Sequence, residues 1–225
     1  MDQLLNTRPQ PRGGSMADEA YEQILHMLVT LHIHPGDPIH DDQIMRELGI
    51  GRTPVREALK RLEADKLVVT FPKRGTFATR VEISDLAYVS EIRQQLEPMA
   101  AARAARVATS ATRQELRETY RQIQEFNTTE ASTAELLTFD AEVHRKIYRA
   151  AGNPYLEDVL VRHSNLATRI WCMVIDKLPG LSTHVQEHLQ LLQTIIDGDE
   201  EKAAQLSAEH VAQFEAAVRA ALLDI

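Results

Sequence analysis

The sequence predicts a mainly α-helical protein, an N-terminal winged helix-turn-helix followed by a C-terminal antiparallel bundle of six helices. Two observations carry that fold class. Residues 17–80 contain three short helical stripes and then two β-rich runs around a glycine-bearing turn. Residues 81–225 repeat apolar side chains at helical spacing throughout and carry no β pattern. Charge divides at the same point. Residues 1–80 hold 11 basic and 11 acidic side chains, and residues 81–225 hold 14 and 22, so the net −8 belongs to the second part. Within residues 52–80 the count is 8 basic against 3 acidic, a local excess of +5.

The chain has 225 residues, enough for one large or two small cores, and its 44% hydrophobic and 26% charged content is ordinary for a soluble globular protein. No apolar run approaches the roughly 20 residues of a membrane span, and the polar residues 1–15 lack the apolar centre of a signal peptide. The single Cys172 excludes an internal disulfide and suits a reducing cytoplasm. The expectation is a cytoplasmic protein with no membrane partner.

Residues 1–16, with Pro9, Pro11, Gly13 and Gly14, are expected to form a flexible N-terminal arm, and Met16 is itself a possible start. Tyr21, Ile24, Leu25, Leu28 and Leu31 predict a helix over 17–32, which Pro35-Gly36-Asp37-Pro38 ends. A short helix follows over 41–48 with Ile44 and Leu48 inward, and Gly49-Ile50-Gly51 turns the chain into the next. That helix starts near Arg52, with Gly51 as cap and Pro54 in its first turn. Its Val55, Ala58, Leu59 and Leu62 form an apolar face, while Arg52, Arg56 and Lys60 line another at i, i+4 and i+8. A helix buried on one side and cationic on the other suits a DNA major groove, where arginine can pair with guanine or hold phosphate. Leu67–Phe71 and Thr76–Arg80 flank the turn Pro72-Lys73-Arg74-Gly75 as a hairpin, whose Lys73 and Arg74 are either simply exposed or placed for DNA.

Residues 20–80 resemble the winged helix of the GntR family of bacterial transcription regulators. The resemblance rests on Pro35-Gly36, on Arg52-Thr53-Pro54-Val55-Arg56-Glu57-Ala58-Leu59 and on Arg74-Gly75-Thr76-Phe77. It implies operator contacts from Arg52, Thr53, Pro54, Arg56 and Gly75, beside the Lys60, Lys73 and Arg74 read from the residues. Two positions depart from the family pattern. Gly51 stands where a hydroxyl residue is usual, and Asp41-Asp42 open the first helix of the motif where some relatives carry a base.

Beyond residue 81 the stripes predict helices over about 84–107, 111–126, 133–151, 154–177, 182–197 and 200–223. Ser84, Ser110 and Thr133 are the expected caps, and Gly152-Asn153-Pro154, Pro179-Gly180 and Gly198 the breaks. Asp140 and His144 share a face with Leu136, Leu137, Ile147 and Tyr148. His188 lies on the stripe of Leu191, Leu192 and Ile195, and His210 on that of Leu206, Phe214, Ala217 and Ala221. Each therefore points inward, where an unpaired polar group is costly. One divalent ion would satisfy all four. Three imidazoles and a carboxylate suit Zn, the first expectation, or Ni, Mn or Fe(II). Singly, each has another explanation: an Asp140–His144 helix pair, and hydrogen-bonded core histidines.

The same pattern resembles the FCD effector domain of the FadR subfamily in its six-helix, VanR-like form. That resemblance implies a divalent metal on Asp140, His144, His188 and His210, helping to hold a small carboxylate effector. His184, one turn earlier, is an extra candidate for the cavity, expected on balance behind the ligands or at the surface. Ile92-Arg93-Gln94-Gln95-Leu96-Glu97 resembles the family's Arg-x2-Leu-Glu signature, which places Arg93 on the effector, and a guanidinium forks well onto a carboxylate. An Arg93–Glu97 pair at i, i+4 is the alternative. Asn165 and Arg169, one turn apart, are further effector-binding candidates, and Trp171 and Met173 are assigned to packing.

The expected function is a homodimeric, ligand-responsive transcription regulator, most often a repressor in this family. It binds a palindromic double-stranded operator through residues 17–80 and uses residues 81–225 for effector binding and dimerisation. It is not expected to be an enzyme. Two other readings are weighed: a sensor for which the metal itself is the signal, and a metal-dependent hydrolase or lyase, for which no general base is marked beside the ligands.

Overall fold

The computed structural model describes residues 14–178 and 180–223, so residues 1–13 of the expected arm and Pro179 lie outside it. The chain divides between Val81 and Glu82 into two compact units.

In the first unit, α1 (Met16–Val29) starts inside the expected arm, because Ser15 and Asp18 close a capping box around its first turn. The helix stops before Leu31, which lies at φ 59, and the Ile33 N–H returns to the Met27 carbonyl at 3.0 Å. Leu31 is thus in a turn and not on the helical stripe. Then come β1 (Pro38–Ile39), α2 (Asp41–Leu48), α3 (Arg52–Ala64), β2 (Val68–Phe71) and β3 (Gly75–Ala78). The sheet order is β1-β3-β2 and antiparallel, with Val69 opposite Phe77 and Pro38 also opposite Phe77. Strand β1 was not expected. It is two residues long, and its proline sits at the first position, where a missing amide donor is tolerated. Ile24 and Leu28 of α1, Val55, Ala58 and Leu62 of α3, and Val68 of β2 are among its buried core residues.

The second unit is helical: α4 (Ile83–Val107), α5 (Ser110–Glu125), α6 (Thr133–Ala150), α7 (Pro154–Trp171), α8 (Leu181–Asp197) and α9 (Glu200–Leu223). Helix α4 packs most extensively on α9 and also touches α6, α7 and α8. The caps are Glu82, Thr109 and Ser132, each one or two residues before the cap expected; Thr109 and Ser132 offer equivalent hydroxyls one residue earlier. Asn153 accepts from the amides of Tyr155 and Leu156 at the start of α7.

Helix α7 ends six residues before the expected Lys177. Bonds from the Met173 amide to Ile170 and from Val174 to Trp171 tighten the chain before a 3-10 turn at Ile175–Lys177. Residues three apart nearly eclipse in such a turn, so Trp171 and Val174 are both buried while Met173, expected in the packing, is 44% exposed.

Leu62 is fully buried. Leu62→Ala is expected to lower the stability of the first unit by about 2–5 kcal/mol, measured by urea denaturation followed by circular dichroism.

Candidate functional site

Helices α6, α8 and α9 bring inward-facing polar side chains to one place in the bundle. One donor atom each from Asp140, His144, His184 and His210 lies within 4.8 Å of the others, and all four residues are buried. Three of the four expected ligands are in this group. His184 is the fourth, although it was expected behind the ligands or at the surface. His188 stands immediately alongside: it is 0% exposed, its Nδ1 is 3.2 Å from the Val185 carbonyl and 3.8 Å from Asp140 Oδ1. Its Nε2 is buried without a hydrogen-bond partner, as is Asp140 Oδ1.

The tautomers follow from the carboxylates around the rim. His144 turns Nδ1 toward Glu97 Oε2 at 3.0 Å, and His210 turns Nδ1 toward Glu187 Oε2 at 2.9 Å. A carboxylate only accepts, so each Nδ1 carries hydrogen and each neutral ring presents its Nε2 lone pair inward. The two Nε2 atoms face each other at 3.3 Å. Two lone pairs at that separation repel unless a proton or a cation lies between them.

Burial drives His188 far below the ordinary imidazole range, and burial lowers His210 to about 4 against the pull of Glu187. Both are therefore neutral near pH 7, as metal ligands must be. His144 is also desolvated, but Glu97 and Asp140 outweigh that effect and raise it.

Donors about 2.0–2.2 Å from an ion stand about 3–4 Å apart around it. The separations His144 Nε2–His210 Nε2 of 3.3 Å and His144 Nε2–Asp140 Oδ2 of 3.8 Å fall in that range. With the orphaned Asp140 Oδ1 and His188 Nε2, the residues fit a divalent ion bound by nitrogen and oxygen.

Glu97 anchors the rim from α4. It is 2% exposed, and Arg93 Nε donates to its Oε1 at 2.6 Å, also from a buried position. Desolvation opposes its ionisation, but the Arg93 and His144 charges hold it well below the usual carboxylate range. The i, i+4 pair with Glu97, the alternative reading of Arg93, is formed, and the guanidinium also lies 4.7 Å from the Trp171 ring centroid. Asn165 and Arg169 are buried on α7. Asn165 Oδ1 accepts from Arg145 at 2.9 Å, and burial lowers Arg169 to about 10.

In the first unit Arg52, Thr53, Arg56 and Lys60 are exposed on α3, and Pro54 is partly buried in its first turn. Arg52 donates to Asp42 at 2.7 Å and Arg56 to Asp41 at 2.9 Å, so the two acidic residues that depart from the family pattern sit on the two leading arginines. Arg61 is held elsewhere, on Asp18 and over the Tyr21 ring. At the wing the Arg74 amide bonds to the Phe71 carbonyl, Lys73 lies at φ 64 and Gly75 at φ 98, and Lys73, Arg74 and Gly75 are exposed. A lysine held left-handed at a turn tip carries strain that sites of contact often keep.

Sequence reasoning did not find Glu187, Glu97 as the partner of His144, or the Asp41 and Asp42 pairings. Glu187 had one signal, its position three residues after His184 and beside His188 on the same helix. The others join residues far apart in sequence.

A winged helix with exposed arginines on its third helix, joined in sequence to a helical unit with a buried polar cluster, defines a transcription regulator with a ligand-responsive domain. Residues 16–78 match the bacterial regulatory proteins of the gntR family, and residues 88–213, more than half of the chain, match the FCD domain. The chain belongs to the gntR family and carries an FCD domain. It is 29% identical over 186 residues to the Nta operon transcriptional regulator of Aminobacter aminovorans, covering 82% of this chain and 86% of that one. It is 22% identical over 196 residues to the HTH-type transcriptional repressor RspR of Escherichia coli K12, covering 87% and 84%. The fold is similar to that of E. coli McbR/YncC, with a TM-score of 0.79 at 22% identity over 91% of this chain and 97% of that one. A GntR regulator from Rhodococcus sp. RHA1 has a TM-score of 0.68 at 17% identity, over 91% and 98%. The protein is a DNA-binding transcription regulator and not an enzyme, so the hydrolase or lyase alternative is set aside. Among the described residues no helix is long and apolar enough to cross a membrane.

Removing Arg93 would strand Glu97 as a buried charge. Arg93→Met is expected to cost about 3–5 kcal/mol of stability in chemical denaturation, and adding Glu97→Gln to recover part of it.

Proposed function

We propose that this protein is a cytoplasmic, homodimeric repressor that binds a palindromic operator and releases it when a small carboxylate reaches a metal-containing site in the FCD domain. The observation that carries the reading is the buried convergence of Asp140, His144 and His210 on one point, with the orphaned Nε2 of His188 beside them. In this reading Asp140, His144, His188 and His210 hold the ion, with Zn the first expectation and Ni, Mn or Fe(II) the alternatives. The ion supplies a positive centre to which a carboxylate oxygen can bind. Glu97 and Glu187 keep the imidazoles turned toward it. Arg93, Asn165 and Arg169 are the effector-binding candidates. A carboxylate that drew Arg93 away from Glu97 would loosen the group that orients His144, which couples effector and ion in one network. The relative RspR is a transcriptional repressor, which supports the repressor assignment.

On DNA, Arg52, Thr53, Pro54, Arg56 and Lys60 of α3 would meet the major groove, with Lys73, Arg74 and Gly75 of the wing on the backbone or minor groove. Two copies related by a two-fold axis would read the two half-sites, as operator palindromes require. Residues 17–80 would serve as the DNA-binding domain and residues 81–225 as the effector and dimerisation domain. Asp41 and Asp42 occupy the arginine hydrogen bonds that phosphate or guanine would use. Exposed pairs of this kind are individually weak, so DNA can displace them, at a cost in affinity.

Elemental analysis should find close to one equivalent of divalent metal per chain, absent in His144→Ala/His210→Ala. A metal-free wild type would sink the metal part of the reading. Arg52→Ala and Arg56→Ala should each weaken binding to DNA from the protein's own promoter region and flatten its salt dependence by about one unit of slope. Asp41→Asn/Asp42→Asn should bind more tightly, most visibly at low salt. Unchanged affinity in all three variants would remove α3 from the interface.

A further inference from the structure

We propose that the outward strip of α4 is the face on which two copies of this chain meet, packed antiparallel about a two-fold axis beside Gln95. The inference rests on the homodimer reading above and assigns it a surface.

Helix α4 is held by its neighbours around most of its circumference, by α9 most extensively and also by α6, α7 and α8. One strip is left. Asp85, Tyr88, Ile92, Gln95, Met99 and Arg106 are exposed, and they recur three, four or seven residues apart along the helix. That is the spacing of a seam between paired helices, and it puts all six on one line about 32 Å long. Tyr88, Ile92 and Met99 are large apolar side chains left in water. Scattered singly they would need no explanation. A row of them, on a helix whose other faces are already packed, marks an interaction surface.

Charge selects the occupant. The strip begins with the acidic Asp85 and ends with the basic Arg106, with the apolar side chains between them. Laid antiparallel on its own copy, such a strip is self-complementary. When Ile92 meets the partner's Met99, Asp85 falls opposite the partner's Arg106, and the symmetry makes each contact twice. A parallel pairing would set like charges together at both ends. Arg106 now pairs with Glu200 at 3.1 Å, an exposed contact weak enough to be exchanged.

The ends of the strip agree with this register. Arg103 Nε donates to the Ala151 carbonyl at 2.7 Å, and Ala100 and Leu156 share a buried cluster, so α7 starts beside the C-terminal half of α4. There Tyr155 is 84% exposed, and near the other end of the strip Tyr88 is 68% exposed. The antiparallel register carries Tyr88 to the partner's Arg103 and toward the partner's Tyr155, covering both rings. Arg93 and Glu97 occupy the buried side of the same helix, which sets the proposed effector network directly behind the partner subunit.

The test is analytical ultracentrifugation of the full-length protein over a concentration series. Wild type should be a dimer, and Ile92→Glu, which puts a charge in the seam, should weaken it at least about a hundredfold. Asp85→Arg and Arg106→Asp should each weaken it about tenfold, and the two together should return it to within about threefold of wild type. Asp85 also closes the cap of α4 with Glu82, so recovery in the double variant is the deciding readout: a change at Arg106 cannot restore a lost cap. That readout stands even if Ile92→Glu folds poorly. Failure of the double variant to recover would overturn the antiparallel pairing. A wild-type dimer left intact by Ile92→Glu, with that variant folded by circular dichroism, would overturn the inference and leave the homodimer reading standing on another face. A wild type that stays monomeric would overturn both.

Discussion

The Glu97 carboxylate is the constraint around which the helical unit is arranged. It is almost wholly buried, and an unpaired charge there would cost several kcal/mol, so every neighbour must answer it. Arg93 does so from one turn earlier on α4, and His144 does so from α6. The second contact also decides which nitrogen of His144 faces inward. Glu187 repeats the device on the other side of the cluster, at the rim where it is less buried. These two carboxylates thus orient the imidazoles of His144 and His210, whose Nε2 atoms meet at 3.3 Å.

The DNA-facing unit solves the opposite problem. Its arginines are in water, and nothing in their environment forces a partner on them. Asp41 and Asp42 nevertheless meet Arg56 and Arg52 across the turn between α2 and α3. Such pairs hold two long side chains on one side of the helix while contributing little to stability.

Much of this was legible from periodicity. The stripes on α1, α3 and the six bundle helices located the helices to within a few residues, because burial of one face repeats every turn. Strand β1 was not legible, since two residues carry no alternation and the pairing is made by β3, far along the chain. The early end of α7 was hidden because Trp171, Val174 and their neighbours remain apolar through the change of helix type. At the cluster, the inward stripe of α8 passes through both His184 and His188. Periodicity says that both face the core, and only the depth at which α8 meets α6 and α9 says which ring nitrogen reaches Asp140. Arg93 and Glu97 were visible as a pair, but Glu97's second role depends on α6 lying beside α4.

The chain contains one tryptophan, and the fold has put it within sight of this network. The Trp171 indole lies under the Arg93 guanidinium and edge-on to Phe214, whose ring stacks on His184. A cation over the indole face and an aromatic edge beside it both set the energy of its excited state. Any event that moves Arg93 from Glu97, or tilts the rings around His184, will therefore alter the colour and intensity of the protein's own fluorescence. The molecule comes with a built-in optical probe, which needs no label and responds from inside the site it reports on.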